Sequence, residues 1–257
     1  MWENAWVFLA RRCCVCKEIS EALCDVLCDG CVAKLEPARY LERAAEFELG
    51  YRALFAYTKA SSRVVLTLKY QRDLKLVRWL APQMAEQVAE VVKAEMRQTE
   101  KLVSEGAEAV QQAEAMQKAE AAQKAEAGQK AKAVCVTWIP AATKNKRRRG
   151  YDQAELLARA MARAAGLPCR KLLKRNNDLP QGDRDLKGRL QGPSLVPARS
   201  LQTGKSACST SLPKSVFIVD DVVTTGSSFR RAAETLREAG VCRIGAIAVA
   251  SRAKVSN

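Results

Sequence analysis

Two groups of residues in this sequence have types and spacings that could do chemistry. The first begins with Val216-Phe-Ile-Val219 and continues as Asp220-Asp221-Val-Val-Thr224-Thr225-Gly226-Ser227-Ser228. A short all-apolar run is the pattern of a strand buried on both faces. Phe229, Ala232, Ala233, Leu236 and Ala239 then recur at helical spacing until Gly240, and Val241 to Ala250 supplies another apolar strand. This is a βαβ unit, whose first turn lies where open α/β sheets bind ligands. Thr224 to Ser228 offers hydroxyls and successive backbone N–H groups at a helix start, a cradle for a phosphate monoester. Asp220 and Asp221 are acceptors, ill suited to phosphate and well suited to two neighbouring hydroxyls. A vicinal diol beside a phosphate describes a ribose 5-phosphate. The competing readings are an acid pair that holds Mg²⁺ and a turn that is topology alone.

The second group is cysteine. Six of the ten cysteines fall within residues 13–31, among them Cys13-x-x-Cys16 and Cys28-x-x-Cys31. Two such knuckles converge four thiolates on a tetrahedral Zn²⁺ and order a segment too short for its own core. Cys14 and Cys24 are further candidates, so the ligand set stays open. Four protein ligands leave no free position on the metal, which makes this a structural site. The chain has no histidine. That removes imidazole bases, His metal ligands and Ser-His or Cys-His triads.

The elements that must position these groups read unevenly. Arg63 to Leu68 is an apolar run within mixed structure, and Leu74 to Val92 has helical spacing. Residues 113–130 repeat a hexad three times, with Glu four residues before Lys in each unit (Glu114/Lys118, Glu120/Lys124, Glu126/Lys130). That order favours a helix, yet a six-residue period rotates the apolar positions about 120° per unit and leaves no seam. A solvated helical insertion at about residues 98–133 is expected. Val134 to Ile139 reads as a strand, Lys144-Asn-Lys-Arg-Arg-Arg-Gly150 as a basic loop, and Asp152 with Glu155 as a capping-box-like start to a helix. Leu157, Ala160, Met161 and Ala164 would line its buried face. Residues 171–214 read as a long mobile loop. Gly204-Lys205-Ser206 ends like a phosphate-binding loop, but Arg199 stands where its first glycine is required.

Charge points to an anionic ligand. The net is +15, and residues 1–142 carry 20 basic and 19 acidic side chains. Residues 143–190 carry 14 and 5, and residues 191–257 carry 9 and 4, so the positive field belongs to the second half. No run reaches the ~18 apolar residues of a membrane span, and the acidic start lacks the basic-then-apolar order of a signal peptide. A cytoplasmic protein without membrane insertion is expected.

The string Val219-Asp220-Asp221-x-x-Thr224-Thr225-Gly226 resembles the 5-phosphoribosyl 1-pyrophosphate (PRPP) motif of type I phosphoribosyltransferases. Together with the paired knuckles, Leu68-Lys69-Tyr70-Gln-Arg-Asp73 and Arg149-Gly150-Tyr151-Asp152-Gln153-Ala154, it resembles the ComF family, linked to DNA uptake in competent bacteria. The resemblance covers roughly residues 10–92 and 134–252. It implies an α/β fold with a parallel sheet and flanking helices. It also implies a small zinc module (residues 1–45, with Cys13, Cys16, Cys28 and Cys31 as ligands) and a larger domain (residues 46–257). It implies PRPP held by Asp220, Asp221, Thr224, Thr225, Gly226, Ser227 and Ser228, with Mg²⁺ on the pyrophosphate and ribose hydroxyls. Phosphoribosyl transfer with release of pyrophosphate would follow, in DNA uptake or nucleotide metabolism. Positive charge near the departing pyrophosphate would come from Arg147, Arg148 and Arg149, with Lys69 and Arg72 as weaker candidates.

Where the family often has a His after the strand at 134–139, this chain reads Ile139-Pro-Ala-Ala-Thr143, and the Arg-x-Thr-x-x-x-Gln pattern becomes Arg175-Asn-Asn-Asp178-Leu-Pro-Gln181. These departures motivate a second reading, a PRPP- or nucleotide-binding adaptor without turnover. A third is a single-stranded-DNA-associated competence factor acting through the basic second half, although only 5% of the residues are aromatic and stacking usually supplies such affinity.

Overall fold

In the computed structural model, residues 12–19, 26–38, 47–111, 134–176, 193–198 and 212–252 are described. The chain order is α1 (Asp29–Val32), β1 (Tyr51–Ala56), α2 (Lys59–Tyr70), α3 (Leu74–Gln111), β2 (Val134–Trp138), α4 (Thr143–Arg149), α5 (Gln153–Ala164), β3 (Leu173–Arg175), β4 (Leu195–Pro197), β5 (Ser215–Val223), α6 (Ser227–Glu238) and β6 (Arg243–Ser251). Strands β1-β6-β5-β2 form one sheet in that order, and every pairing in it is parallel. A bridge between Val136 and Cys169 extends the sheet beyond β2.

Both faces of the sheet are covered, which is why β5 and β6 are apolar almost without break. Phe217, Val219, Ile247 and Val249 point into one core with the buried residues of α2, α3 and α5. Val216, Ile218, Ala246 and Ala248 point into the other, with α6 and the antiparallel β3–β4 ribbon. Phe229, Ala232, Ala233 and Leu236 form the buried stripe of α6, as their spacing predicts.

Local readings differ from the structure in four places. The run Arg63–Leu68 is the middle of helix α2, whose start is fixed by a capping box between Thr58 and Ser61. The basic loop is helix α4. Its four cationic side chains sit in the last turn, where they oppose the negative end of the helix dipole, and Gly150 closes it at φ 76°. On α5, Ala164 is exposed and the buried face is Ala154, Leu157, Ala158, Met161 and Ala162, because this helix packs on both the sheet and α3. Part of the loop expected at 171–214 is the β3–β4 ribbon, with Leu172, Leu173 and Leu195 buried against α6. The hexad repeat, Cys24, Cys208, Asp178, Gln181 and the segment Gly204-Lys205-Ser206 lie outside the described residues, as does the boundary expected at residues 45 and 46.

The cysteine-rich segment packs directly on the sheet layer. Cys13, Cys14, Leu27 and Leu35 are buried in the same core as α2 and α3. The Thr67 hydroxyl donates to the Cys14 carbonyl at 3.4 Å, and residues 36–38 run beside β1 (Ala56 N to Glu36 O, 2.9 Å; Ala38 N to Leu54 O, 2.9 Å). Among the described residues no helix is long and apolar enough to cross a membrane.

Candidate functional site: the turn after β5

Alternation along β5 decides the geometry of the acid pair. Side chains of successive strand residues point to opposite faces, so Asp220 follows Val216 and Ile218 to the α6 face while Asp221 follows Phe217 and Val219 to the α2–α5 face. Asp221 is 4% exposed. Its Oδ2 accepts from Lys69 Nζ at 3.2 Å and from Gln153 Nε2 at 3.1 Å. Asp220 Oδ1 accepts from the Asp221 backbone N–H at 2.8 Å. Burial, reinforced by the neighbouring Asp221 charge, holds the Asp220 carboxyl well above the usual carboxylate range.

The turn itself is exposed at Thr224 and Thr225. Gly226, at φ 74°, stands at the N-cap of α6 and offers no side chain to cap it. A helix start of this kind presents N–H groups to an anion. Thr225 Oγ1 accepts from Ser227 N at 3.3 Å and donates to Ser227 Oγ at 3.0 Å, and Arg230 Nη2 holds the Thr225 carbonyl at 2.9 Å. The hydroxyls of Thr225 and Ser227 therefore meet at one helix end.

The arginine cluster reaches the site at second hand. Arg149 Nη1 donates to Gln153 Oε1 at 2.9 Å, and Gln153 in turn holds Asp221. Arg149 and Arg148 lie over the Tyr70 ring at 5.1 and 5.8 Å. Tyr151 locks the same corner, donating to the Leu68 carbonyl at 2.8 Å and accepting from Arg72 N at 2.8 Å. Residue types and spacing pointed to the arginines but not to Gln153 as the connector. Its signs in the sequence are its place directly after the N-cap Asp152 and within the Arg149–Ala154 segment that carries the family resemblance.

One strand further, the loop after β2 opens a cleft of about 450 Å³ lined by Trp138, Pro140, Lys146, Arg147, Lys174 and Arg175, among others. Arg175 Nε donates to the Pro140 carbonyl at 2.7 Å, and Asp152 Oδ2 accepts from Ala141 N at 2.9 Å. The cleft is predominantly cationic and suits an anion. Lys171, Lys174 and Arg175 reach it because the β3 end of the ribbon lies beyond the β2 edge, a placement invisible in the sequence.

The ligand atoms of Cys13, Cys16, Cys28 and Cys31 all lie within 4.8 Å of one another, and the Cys16 and Cys28 sulfurs are 3.6 Å apart. Four thiolates about 2.3 Å from Zn²⁺ would stand about 3.8 Å apart in a tetrahedron. The residues fit the metal. Burial and the sulfurs of Cys28, Cys13 and Cys16 push the Cys31 thiol upward. Burial also opposes ionisation of Cys13, but backbone N–H groups outweigh it and bring that thiol down to about 6. Neighbouring thiols cannot all ionise unless a cation shares their charge. Cys14 is buried in the core, and burial pushes it up to about 12. It takes no part in the cluster.

This arrangement defines a class: an α/β chain with a phosphoribosyltransferase-like fold and a four-cysteine cluster near its N-terminus. The family described as "Phosphoribosyl transferase domain" matches residues 155–255, from α5 through the acid pair to the end of β6. A solved structure titled as the allosteric regulatory enzyme of purine biosynthesis shares 23% identity, with a TM-score of 0.29, across 45% of this chain and 22% of that one. The match spans about a fifth of that enzyme's length, and a likeness this distant carries no argument about activity. No curated protein matches the chain.

Proposed function

We propose that this protein is a ComF-like type I phosphoribosyltransferase that binds PRPP through Asp220, Asp221, Thr224, Thr225 and Gly226 and releases pyrophosphate. The observation that carries the proposal is the turn after β5, where two carboxylates and a hydroxyl-rich helix start meet in a chain whose residues 155–255 match the phosphoribosyl transferase domain. In this reading the backbone and hydroxyls of residues 224–228 hold the 5-phosphate, and the acids accept from the ribose hydroxyls. The bond from the anomeric carbon to pyrophosphate breaks with its electron pair leaving on oxygen, while the acceptor forms a new bond to that carbon. Such a reaction asks the protein for positioning and positive charge. Lys69, beside Asp221, and the cationic cleft supply that charge. Mg²⁺, bound with PRPP, would neutralise the pyrophosphate. Zn²⁺ on Cys13, Cys16, Cys28 and Cys31 keeps a structural role.

Incubation with PRPP, Mg²⁺ and pooled nucleobases and amines should release pyrophosphate. Absence of both pyrophosphate and calorimetric PRPP binding would overturn the proposal. A second reading, an adaptor that binds PRPP without turnover, is favoured by one pair of contacts: Asp221 is engaged by Lys69 and Gln153. Tight binding without pyrophosphate release would select it. The wider role follows the ComF resemblance: a cytoplasmic protein of DNA uptake, with single-stranded DNA or competence proteins as partners. A steep log–log salt dependence of DNA affinity would support the DNA partner.

A further inference from the structure

Among the described residues, two buried side-chain polar atoms have no hydrogen-bond partner, Arg149 Nε and Tyr51 Oη. Arg149 spends another nitrogen on Gln153 and its face on Tyr70. Tyr51 has no such outlet. Its ring is stacked on Phe47 at 5.4 Å and meets Phe229 edge-on at 5.5 Å, so the hydroxyl cannot swing to solvent. Buried hydroxyls are normally hydrogen-bonded, and an exception calls for a reason.

The direction of the hydroxyl supplies one. A Cβ built on Gly226 would lie 3.9 Å from Tyr51 Oη, which places the hydroxyl directly under the turn that starts α6. On β5, Asp220 follows Val216 and Ile218 to the face of the sheet on which Tyr51 packs, and its charge acts on Tyr51 together with that of Arg230. The Asp220 carboxylate accepts one hydrogen bond among the described residues, from its neighbour's backbone. A donor without an acceptor therefore shares a face of the sheet with an acceptor that has lone pairs to spare. The other charges acting on Asp220 are Asp221 beside it on β5, Lys69 from α2 and Asp152 at the start of α5. Two of these three are acids, and both oppose its ionisation. A further donor is what an ionised Asp220 lacks.

We infer that Tyr51 is a positioning residue of the site: its hydroxyl donates to the Asp220 carboxylate when a ribose 5-phosphate group occupies the turn, holding Asp220 ionised and aimed at a sugar hydroxyl. This rests on the ribose 5-phosphate reading of residues 220–228. Ligand and Tyr51 then favour the same Asp220 geometry.

Tyr51→Phe keeps the ring stack and removes only the hydroxyl. The free variant should melt at the wild-type temperature or above it. Its affinity for ribose 5-phosphate, and for PRPP with Mg²⁺, should fall about tenfold by calorimetry, the scale of one charge-assisted hydrogen bond. The acid limb of the affinity-against-pH curve should move upward, because Asp220 then needs a higher pH to ionise. Unchanged affinity with an unchanged pH limb, or a loss that merely follows a lower melting temperature, would overturn the inference and leave the ribose reading standing. Wild-type protein that binds neither ligand would overturn both.

Discussion

Asp220 and Asp221 share a motif but not an environment. Asp221 has two partners from α2 and α5, whereas half-buried Asp220 accepts, among the described residues, from its neighbour's N–H and has a raised pKa. A carboxyl whose folded pKa lies above its unfolded value of about 3.8 contributes stability that is complete below about pH 4 and lost as pH rises through the folded value. Asp220→Asn removes that loss. The variant should therefore gain on wild type in urea melts as pH rises from about 4 to 8, and a pH-independent difference would contradict the burial argument. Asp221→Asn should behave differently, because it takes the charge from a carboxylate that pairs with half-buried Lys69. Replacing both acids should lower PRPP affinity at least about tenfold, since charge-assisted bonds exceed neutral ones by roughly a kcal/mol. Calorimetry at neutral pH measures that directly. Wild-type affinity in the double variant would remove both acids from the site.

At the scale of elements, the corner between β2 and α5 carries most of the positioning. Asp152 caps α5 through Ala154 N at 3.2 Å and Glu155 N at 3.4 Å, and its other oxygen holds the loop after β2 through Ala141 N. The second half of the expected capping box is not the partner Glu155 takes: its carboxylate faces Arg159 at 3.0 Å and Lys146 at 3.6 Å. Asp152→Ala should cost about 1–2 kcal/mol in denaturant melts, the range of a lost cap, and should weaken binding of any ligand that spans the turn and the cleft. A loss well under that range would mean water replaces the carboxylate. Gly150→Ala should cost about 1 kcal/mol, because φ 76° is a left-handed conformation at the end of α4. Its effect on ligand binding should exceed that of an exposed Ala substitution of equal cost, since Arg149 and Tyr151 flank it.

For the whole molecule, the cysteine cluster and the proposed ligand site are joined through one helix. The cysteine segment is tied to α2 at Thr67, two residues before Lys69, and shares its core with α2 and α3. The purified protein should carry about one zinc per chain. Cys28→Ser should lower the melting temperature far more than Cys169→Ser, which alters a half-buried cysteine outside the cluster. Chelation should both destabilise the fold and weaken PRPP binding, because α2 then loses the layer beneath its C-terminal turn. Metal-free folded protein with full affinity would refute the coupling.

Features that depend on neighbours along the chain could be read from the residues alone. The βαβ unit was legible because β5 and α6 are set by period-2 and period-3.6 patterns within a single stretch. The cysteine cluster was legible because two knuckles at this spacing have one economical arrangement. Features that depend on residues distant in sequence emerged only from the packing of the fold. Lys144 to Arg149 became a helix because Gly150 can end it and Tyr70 gives its arginines a face to cover. Leu172, Leu173 and Leu195 left the polar segment to form a ribbon because α6 offers an apolar surface. Above all, the two acids diverge, since a strand alternates its side chains between faces, and each face is furnished by a different part of the chain: α2 and α5, with Lys69 and Gln153, for Asp221, and α6 for Asp220. A motif fixes residue types at a site, whereas packing of elements far apart in sequence fixes their charge state and partners.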